Sequence, residues 1–321
     1  MRGGCARSAR QPTAPRLVVI AAPAGTSEIL DVNRRYHDVA AGAYDSKWGI
    51  DFGAVGRAQV LGKVEKLLGP RPGPFARSLE IGCGTGYFTL NLMQEGVIAT
   101  AVCTDVSPGM LEALRANAGR LGLTVDTVVS DAAALPFADA SFDLVLGHAV
   151  LHHLPEPERA FAEFMRVLRP GGVLLFAGEP SRYGDRIAAL PKRAGLAAAP
   201  LWRRAIRARP AGANAGDRCP DDHALESMVD VRAFTPGELE RLASAAGFAS
   251  VRVRGEELLA NMFGWFNRTV EATADHDDIP RGWFNYAYRG YLLLQRLDTA
   301  LLEPHLPAVG FYNLLLTARR P

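Results

Sequence analysis

The stretch that most constrains this 321-residue chain runs from Arg77 to Thr89 and reads Arg-Ser-Leu-Glu-Ile-Gly-Cys-Gly-Thr-Gly-Tyr-Phe-Thr. A short apolar run ending in Glu80 and Ile81 predicts a buried strand. Gly82, Gly84 and Gly86 then break it at alternate positions before helical spacing begins at Tyr87 and runs to Gln94. Strand, glycine turn and helix form a nucleotide-binding unit: glycine lets a ligand lie against the main chain, and the helix start offers free N–H groups. A dinucleotide turn has the form Gly-x-Gly-x-x-Gly. Here the third glycine comes one residue early and Glu80 stands two residues before the first. A carboxylate there repels a pyrophosphate but suits a ligand carrying an ammonium and a sulfonium.

The blocks that follow keep a fixed order. Ile98 to Cys103 reads as strand two, ending at Asp105, about 20 residues past the turn, where an acid can grip ribose hydroxyls. Ser107-Pro108 supplies an N-cap and a first helical proline. Thr124 to Val129 reads as strand three and ends in Ser130-Asp131-Ala132. Phe142 to Gly147 reads as strand four, and Arg169-Pro-Gly-Gly172 turns into strand five, Val173 to Ala177. On these residues the chain resembles the class I S-adenosylmethionine-dependent methyltransferases, in particular the methyltransferase type 11 or quinone-biosynthesis-like group. Their first motif is (hydrophobic)-(Asp/Glu)-x-Gly-x-Gly-x-Gly.

The resemblance covers roughly residues 36 to 180. It implies an α/β, Rossmann-like fold with a mostly parallel seven-stranded sheet, an antiparallel last strand and helical cap insertions. It implies S-adenosyl-L-methionine as cofactor, held by Tyr44, Glu80, Gly82, Cys83, Gly84, Gly86, Asp105, Val106, Met110, Asp131, Ala132 and His148. Asp131 is expected at the adenine exocyclic amine with the Ala132 backbone beside the ring. His148, at the end of strand four, is expected against the cofactor. Tyr36, Tyr44 and Trp48 lie in a stretch that reads either as a lid over the cofactor or as a surface helix packing its aromatics on the core.

Three histidines follow strand four in His148-Ala-Val-Leu-His-His-Leu-Pro155. They read as a metal or catalytic cluster or as hydrogen-bonding loop residues. A related O-methyltransferase group holds a divalent ion here with Glu-x-x-Glu-His. Aligned on His153, its two acids become Ala149 and His152, so the hard oxygen ligands are gone and no metal site is expected. His152, His153 and Glu179 are the candidates for a base, which an alcohol, phenol or activated carbon acceptor would need.

Past Ser181 the pattern fades. Residues 1–27 read as a tail outside the fold, 28–180 as lid plus cofactor-binding core, 181–234 as a cap insertion, 235–256 and 308–321 as the end of the core sheet, and 257–307 as a helical, aromatic-rich cap. Thr235-Pro-Gly-Glu238 is a capping box, Val251 and Val253 mark strand six, and Phe311 to Ala318 fits the antiparallel strand seven. Residues 186–209 mix leucines with seven Lys or Arg, which reads as a solvated helical face or as docking onto anionic lipid or an acidic substrate. Asp217, Asp221, Asp222 and His223, like Asp275 to Asp278, read as solvated turns.

With 36 basic and 34 acidic residues, no general field selects nucleic acid. The Asn/Asp-Pro-Pro-Tyr-type motif of DNA amino-methylating enzymes is also absent after strand four. Cys5, Cys83, Cys103 and Cys219 lack Cys-x-x-Cys pairing and read as reduced cysteines of a cytoplasmic protein. The expected function is methyl transfer to a small apolar or aromatic acceptor at oxygen or carbon. The rival readings are a non-catalytic S-adenosylmethionine-binding regulator and a nicotinamide oxidoreductase.

Overall fold

A computed structural model describes residues 26–45, 49–211 and 232–321. The tail reading of 1–27 and the Asp217 to His223 cluster therefore lie almost wholly or wholly outside the described residues, as do Trp48, Cys5 and Cys219. Helix α1 (Thr26–Ala40) and a 3-10 turn precede α2 (Ala54–Leu68). The core then alternates β1 (Phe75–Ile81), α3 (Tyr87–Gln94), β2 (Ile98–Asp105), α4 (Pro108–Leu121), β3 (Asp126–Val129), β4 (Phe142–His148), α5 (Pro157–Val167) and β5 (Leu168–Pro180). Helix α6 (Arg182–Ile206) leaves the sheet. The sheet is resumed by α7 (Pro236–Ala245), β6 (Ala249–Glu256) and β7 (Asn313–Arg319), with α8 (Leu259–Ala272) and α9 (Arg281–Leu297) inserted between the last two strands.

The seven strands lie in the order β3-β2-β1-β4-β5-β7-β6. All neighbours are parallel except those of β7, which is antiparallel to both β5 and β6. A parallel sheet needs apolar residues on both faces, and the strands supply them by period-two alternation. Val145, Leu174, Phe176, Leu314 and Leu316 join Phe161 and Phe164 of α5 in one core cluster. The intervening Leu144, Leu146, Leu175 and Leu315 join Val60, Val64, Phe88 and Leu111 of α2, α3 and α4 in the other. Phe164 is fully buried, so truncating it to Ala would cost about 3–5 kcal/mol.

Element boundaries differ from expectation where pairing decides them. Strand β3 is two residues shorter at its start, because its ladder with Val102 to Asp105 begins at Asp126. Strand β5 begins at Leu168, before the Pro-Gly-Gly turn, because Leu168 pairs with Phe142 ahead of the register shift that Gly171 (φ 77°) accompanies. Both caps observed at Thr235 and Ser107 are those the sequence predicts: Thr235 and Glu238 bond reciprocally, and Ser107 Oγ accepts the Met110 amide at 3.1 Å.

The β6–β7 insertion is tied to the core by buried charge. Lys63 of α2 meets Glu256 and, at 3.4 Å, Glu257 at the end of β6. Lys66 bonds Glu256 at 3.1 Å and Glu303 at 2.8 Å. Glu257 also accepts from Tyr291 (2.9 Å) and Gln295 (2.7 Å) of α9 and from Asn313 (3.1 Å). The Asp275 to Asp278 cluster is explained locally: Asp275 and Asp278 pair with Arg209 at 3.0 and 2.8 Å. Among the described residues no metal-holding group of acids, cysteines and histidines occurs, and no helix is long and apolar enough to cross a membrane.

Candidate active site

The site is built at the carboxyl edge of β1, β2, β3 and β4, where an open parallel sheet leaves a crevice. After Ile81 the chain takes positive φ at Gly82 (57°), Gly84 (51°) and Gly86 (92°). A Cβ on Gly82 would stand 2.2 Å from Val150 Cγ2, whereas one on Gly84 would meet nothing within 4 Å, because Gly84 faces the open cleft. The turn is clamped to β2 by Cys83 N donating to Thr104 O and Gly84 N donating to Asp105 Oδ2, both at 2.9 Å. Asp105 Oδ1 accepts the Ser107 amide at 2.9 Å. Burial raises the Asp105 pKa, against the lowering effects of nearby His37 and of the amides it accepts.

The ends of β3 and β4 supply the walls. Asp131 lines the cleft, its Oδ1 accepting the Ala133 amide at 3.0 Å, with Ala132 beside it. His148 lies between the rings of Phe88 (centroids 5.2 Å apart) and Tyr87 (5.5 Å) and against Gly178, where a Cβ would approach Nε2 to 2.8 Å. Burial, aided by the Lys63 charge, lowers its pKa to about 3, so the imidazole is neutral and is no acid–base group near pH 7. The roof is α1 and its continuation: Leu30, Asn33, His37 and Tyr44. Asp38 holds α1 down by accepting from Ser107 Oγ and from Gly109 N at 3.1 Å at the start of α4. The enclosed space, mouth included, is about 690 Å³.

Of the residues expected to hold a cofactor, Tyr44, Gly82, Gly84, Asp105, Val106, Asp131, Ala132 and His148 line this cleft. Glu80, Cys83, Gly86 and Met110 do not. Glu80 is 1% exposed beneath the turn and accepts the Thr89 amide at 3.2 Å; burial raises its pKa to about 8. Cys83 points into the core beside Cys103, both free thiols; Gly86 is the left-handed cap of α3; Met110 is fully buried on α4. Among the expected bases, His153 lines the cleft. Glu179 does not: it is fully buried and accepts from the amides of Val150 (2.9 Å), Leu151 (3.0 Å) and His152 (3.2 Å) and contacts His152 Nδ1 at 2.9 Å. That carboxylate is an anchor for the loop after β4 rather than a group open to an acceptor. The His152 ring packs against His153 with centroids 3.9 Å apart and planes tilted by 45°, and His153 meets His37 of the roof edge-on at 5.6 Å.

Sequence reasoning missed Leu30, Asn33, His37 and Asp38. Their contacts span some 70 residues, as in Asp38 to Ser107, and no local pattern encodes such a pairing. The described lining of this cleft ends at Leu154.

Residues 79–176 match the methyltransferase domain family. Over 195 residues the chain is 33% identical to a malonyl-[acyl-carrier protein] O-methyltransferase of Methylococcus capsulatus, covering 60% of this chain and 57% of that one. It is 36% identical over 146 residues to a ubiquinone/menaquinone biosynthesis C-methyltransferase of Methylobacterium nodulans, covering 45% and 57%. The matches thus span little more than half the length of these curated relatives. A phosphoethanolamine N-methyltransferase of Haemonchus contortus, solved with S-adenosylhomocysteine, superposes with a TM-score of 0.55 at 18% identity, over 93% of this chain and 61% of its own. The [4+2]-cyclase SpnF superposes equally well, 0.55 at 22% identity, over 93% and 98%. These likenesses establish the fold, which is shared by proteins of different chemistry. The glycine turn, the acids closing successive strands and the antiparallel last strand agree with the match of residues 79–176 to the methyltransferase domain family.

Proposed function

We propose that this protein binds S-adenosylmethionine in the cleft above the glycine turn and transfers its methyl group to a small apolar or aromatic acceptor, at oxygen or carbon. The observation that carries the reading is the Gly84 face, open to the cleft, with Asp105 and Asp131 lining it from the ends of adjacent strands. The polar inventory fits such a ligand. Asp105 keeps acceptor capacity for ribose hydroxyls beyond its two amide bonds, and Asp131 can accept from an exocyclic amine. The Oδ1 of Asn33, buried in the roof, has no partner in the protein and suits a ligand N–H. Among the described residues no Lys or Arg lines the cleft to receive a pyrophosphate, which disfavours a nicotinamide ligand.

The bound cofactor supplies a methyl group on a sulfonium, already activated for in-line displacement. The chain's own task is alignment, which can account for much of the acceleration. His153 is the residue placed to take the proton that an acceptor hydroxyl or carbon loses. His152 and Glu179 act through it: the Glu179 carboxyl contacts Nδ1 of His152 at 2.9 Å, and the ring is held against His153. The O- and C-methyltransferase names of the relatives support both acceptor atoms.

Calorimetry with S-adenosylmethionine and S-adenosylhomocysteine tests the binding half. Labelled-methyl transfer to phenolic, quinone-like, lipid and carrier-bound carboxylate acceptors tests the catalytic half. Absence of binding sinks the whole reading; binding without turnover on any acceptor favours a regulatory role.

A further inference from the structure

Helix α6 is 25 residues long, about 37 Å, and one side of it faces solvent. Leu190, Ala194, Ala197 and Leu201, spaced at i, i+4, i+7 and i+11, are all exposed and form one stripe along the helix. Leu190 is 63% and Leu201 75% exposed, values that a monomer in water gains nothing by presenting. Beside it Arg182, Arg186, Arg193 and Arg204 form a second exposed stripe. Arg182 is paired with Glu238 at 2.8 Å, whereas no ion pair among the described residues engages Arg193 or Arg204.

The flank of the same helix continues the pattern onto α8. Lys192 Nζ stands 3.9 Å from the centroid of the Trp265 ring, and the Arg268 guanidinium stands 5.9 Å from it. These three side chains and Leu196, itself 59% exposed, line one open groove. An indole flanked by two cations, next to singly projecting leucines and a row of arginines, matches the chemistry of a lipid interface. There the leucines reach the acyl boundary, the indole sits at headgroup depth and the cations meet lipid phosphates.

We propose that the α6–α8 face is a peripheral docking surface for anionic phospholipid bilayers. An acidic protein partner fits less well, because leucines that project singly find no pocket in a flat protein surface but enter lipid individually. The proposal is independent of methyl transfer, and its test reads binding alone.

Flotation of the full chain is measured with phosphatidylcholine vesicles and with vesicles in which roughly one-third of the lipid is phosphatidylglycerol. The protein is expected to float with the anionic vesicles at low ionic strength and to be released by salt. Arg193→Gln with Arg204→Gln should weaken the partition by roughly fivefold per arginine. Leu190→Ser with Leu201→Ser should weaken it without altering its salt dependence. Melting curves matching the wild type show that these exposed changes leave the fold intact. Equal partition into both vesicle types, no flotation, or flotation unaffected by the arginine pair overturns the proposal. So does capture of an acidic helical protein by this face in the absence of vesicle binding.

Discussion

Glu179 Oε2 and His152 Nδ1 lie 2.9 Å apart, while Glu179 Oε1 takes the amides of Val150 and Leu151 at 2.9 and 3.0 Å. One buried carboxylate at the end of β5 thus shapes the loop after β4 and orients the imidazole packed against His153. Glu179→Gln keeps the size but turns an N–H₂ toward one of these donors. The expected result is a fall in kcat of tenfold or more, about 1–3 kcal/mol of lost stability and little change in S-adenosylhomocysteine affinity. His153→Ala should lower kcat further and flatten the pH profile on its acid side, since removing the base removes the group whose deprotonation is followed. Steady-state kinetics over pH, with calorimetry of the product, separates the two roles.

Asp105 holds the glycine turn and also faces the cleft. Asp105→Asn retains the shape but gives up the charge, and hydrogen bonds to a charged group contribute about 1.5–3 kcal/mol. Affinity for S-adenosylhomocysteine should fall about tenfold to a hundredfold by calorimetry; an unchanged value would remove Asp105 from the binding role.

Gly82→Ala places a methyl 2.2 Å from Val150 Cγ2 at a positive φ. Overpacking and backbone strain together should cost about 2–4 kcal/mol and displace the loop carrying His153. Gly84→Ala meets no atom within 4 Å, so its effect should fall mainly on ligand affinity. Paired melting and binding measurements on the two variants test this division.

Glu80 is held protonated to about pH 8 by burial, opposed by the Thr89 amide. The sign follows from linkage. A carboxyl with a raised folded pKa contributes fully below its unfolded value near 4.5 and loses that contribution as pH rises toward 8. Glu80→Gln lacks the titration, so its stability relative to the wild type should climb between pH 5 and 8, by at most about 1.4 kcal/mol per pH unit. Chemical denaturation at several pH values measures the slope; a flat difference would contradict it.

Lys63 lies between Glu256 and Glu257. Burial opposes ionisation of Glu257, yet the Lys63 charge and the bonds from Gln295 and Tyr291 hold its pKa at about 2. Lys63→Met leaves two buried carboxylates without their nearest cation and should cost about 3–5 kcal/mol. The contribution of Glu257 is present above pH 4.5 and is lost as pH falls toward 2, so the variant should also lose part of the wild type's steepening acid destabilisation. Equilibrium unfolding at pH 3 and pH 7 reads both effects.

Much of the fold could be read locally. The three glycines require a turn, Ser107-Pro108 and the Thr235–Glu238 box start helices, and alternating apolar residues on β4, β5 and β7 require a sheet buried on both faces. Asp105 and Asp131 line the cleft because they follow strand ends, where chain direction alone sets the location. Glu80, Cys83, Gly86 and Met110 illustrate the limit. Proximity in sequence to a binding turn does not tell which side of it a side chain takes: Glu80 and Cys83 are buried beneath it, while Gly86 serves as the left-handed cap of α3 and Met110 is buried on α4.

The amino-acid order by itself determined the parallel core, its glycine turn and the acids at its strand ends, because periodicity, glycine conformation and capping act over a few residues. Only the tertiary structure decided that α1 roofs the cleft through Asp38, that Glu179 is an anchor and that His148 is neutral. Those outcomes depend on burial and on interactions between segments some 30 to 85 residues apart, as between Asp38 and Ser107, Glu179 and Val150, or Lys63 and His148. Desolvation and partner choice have no local signature.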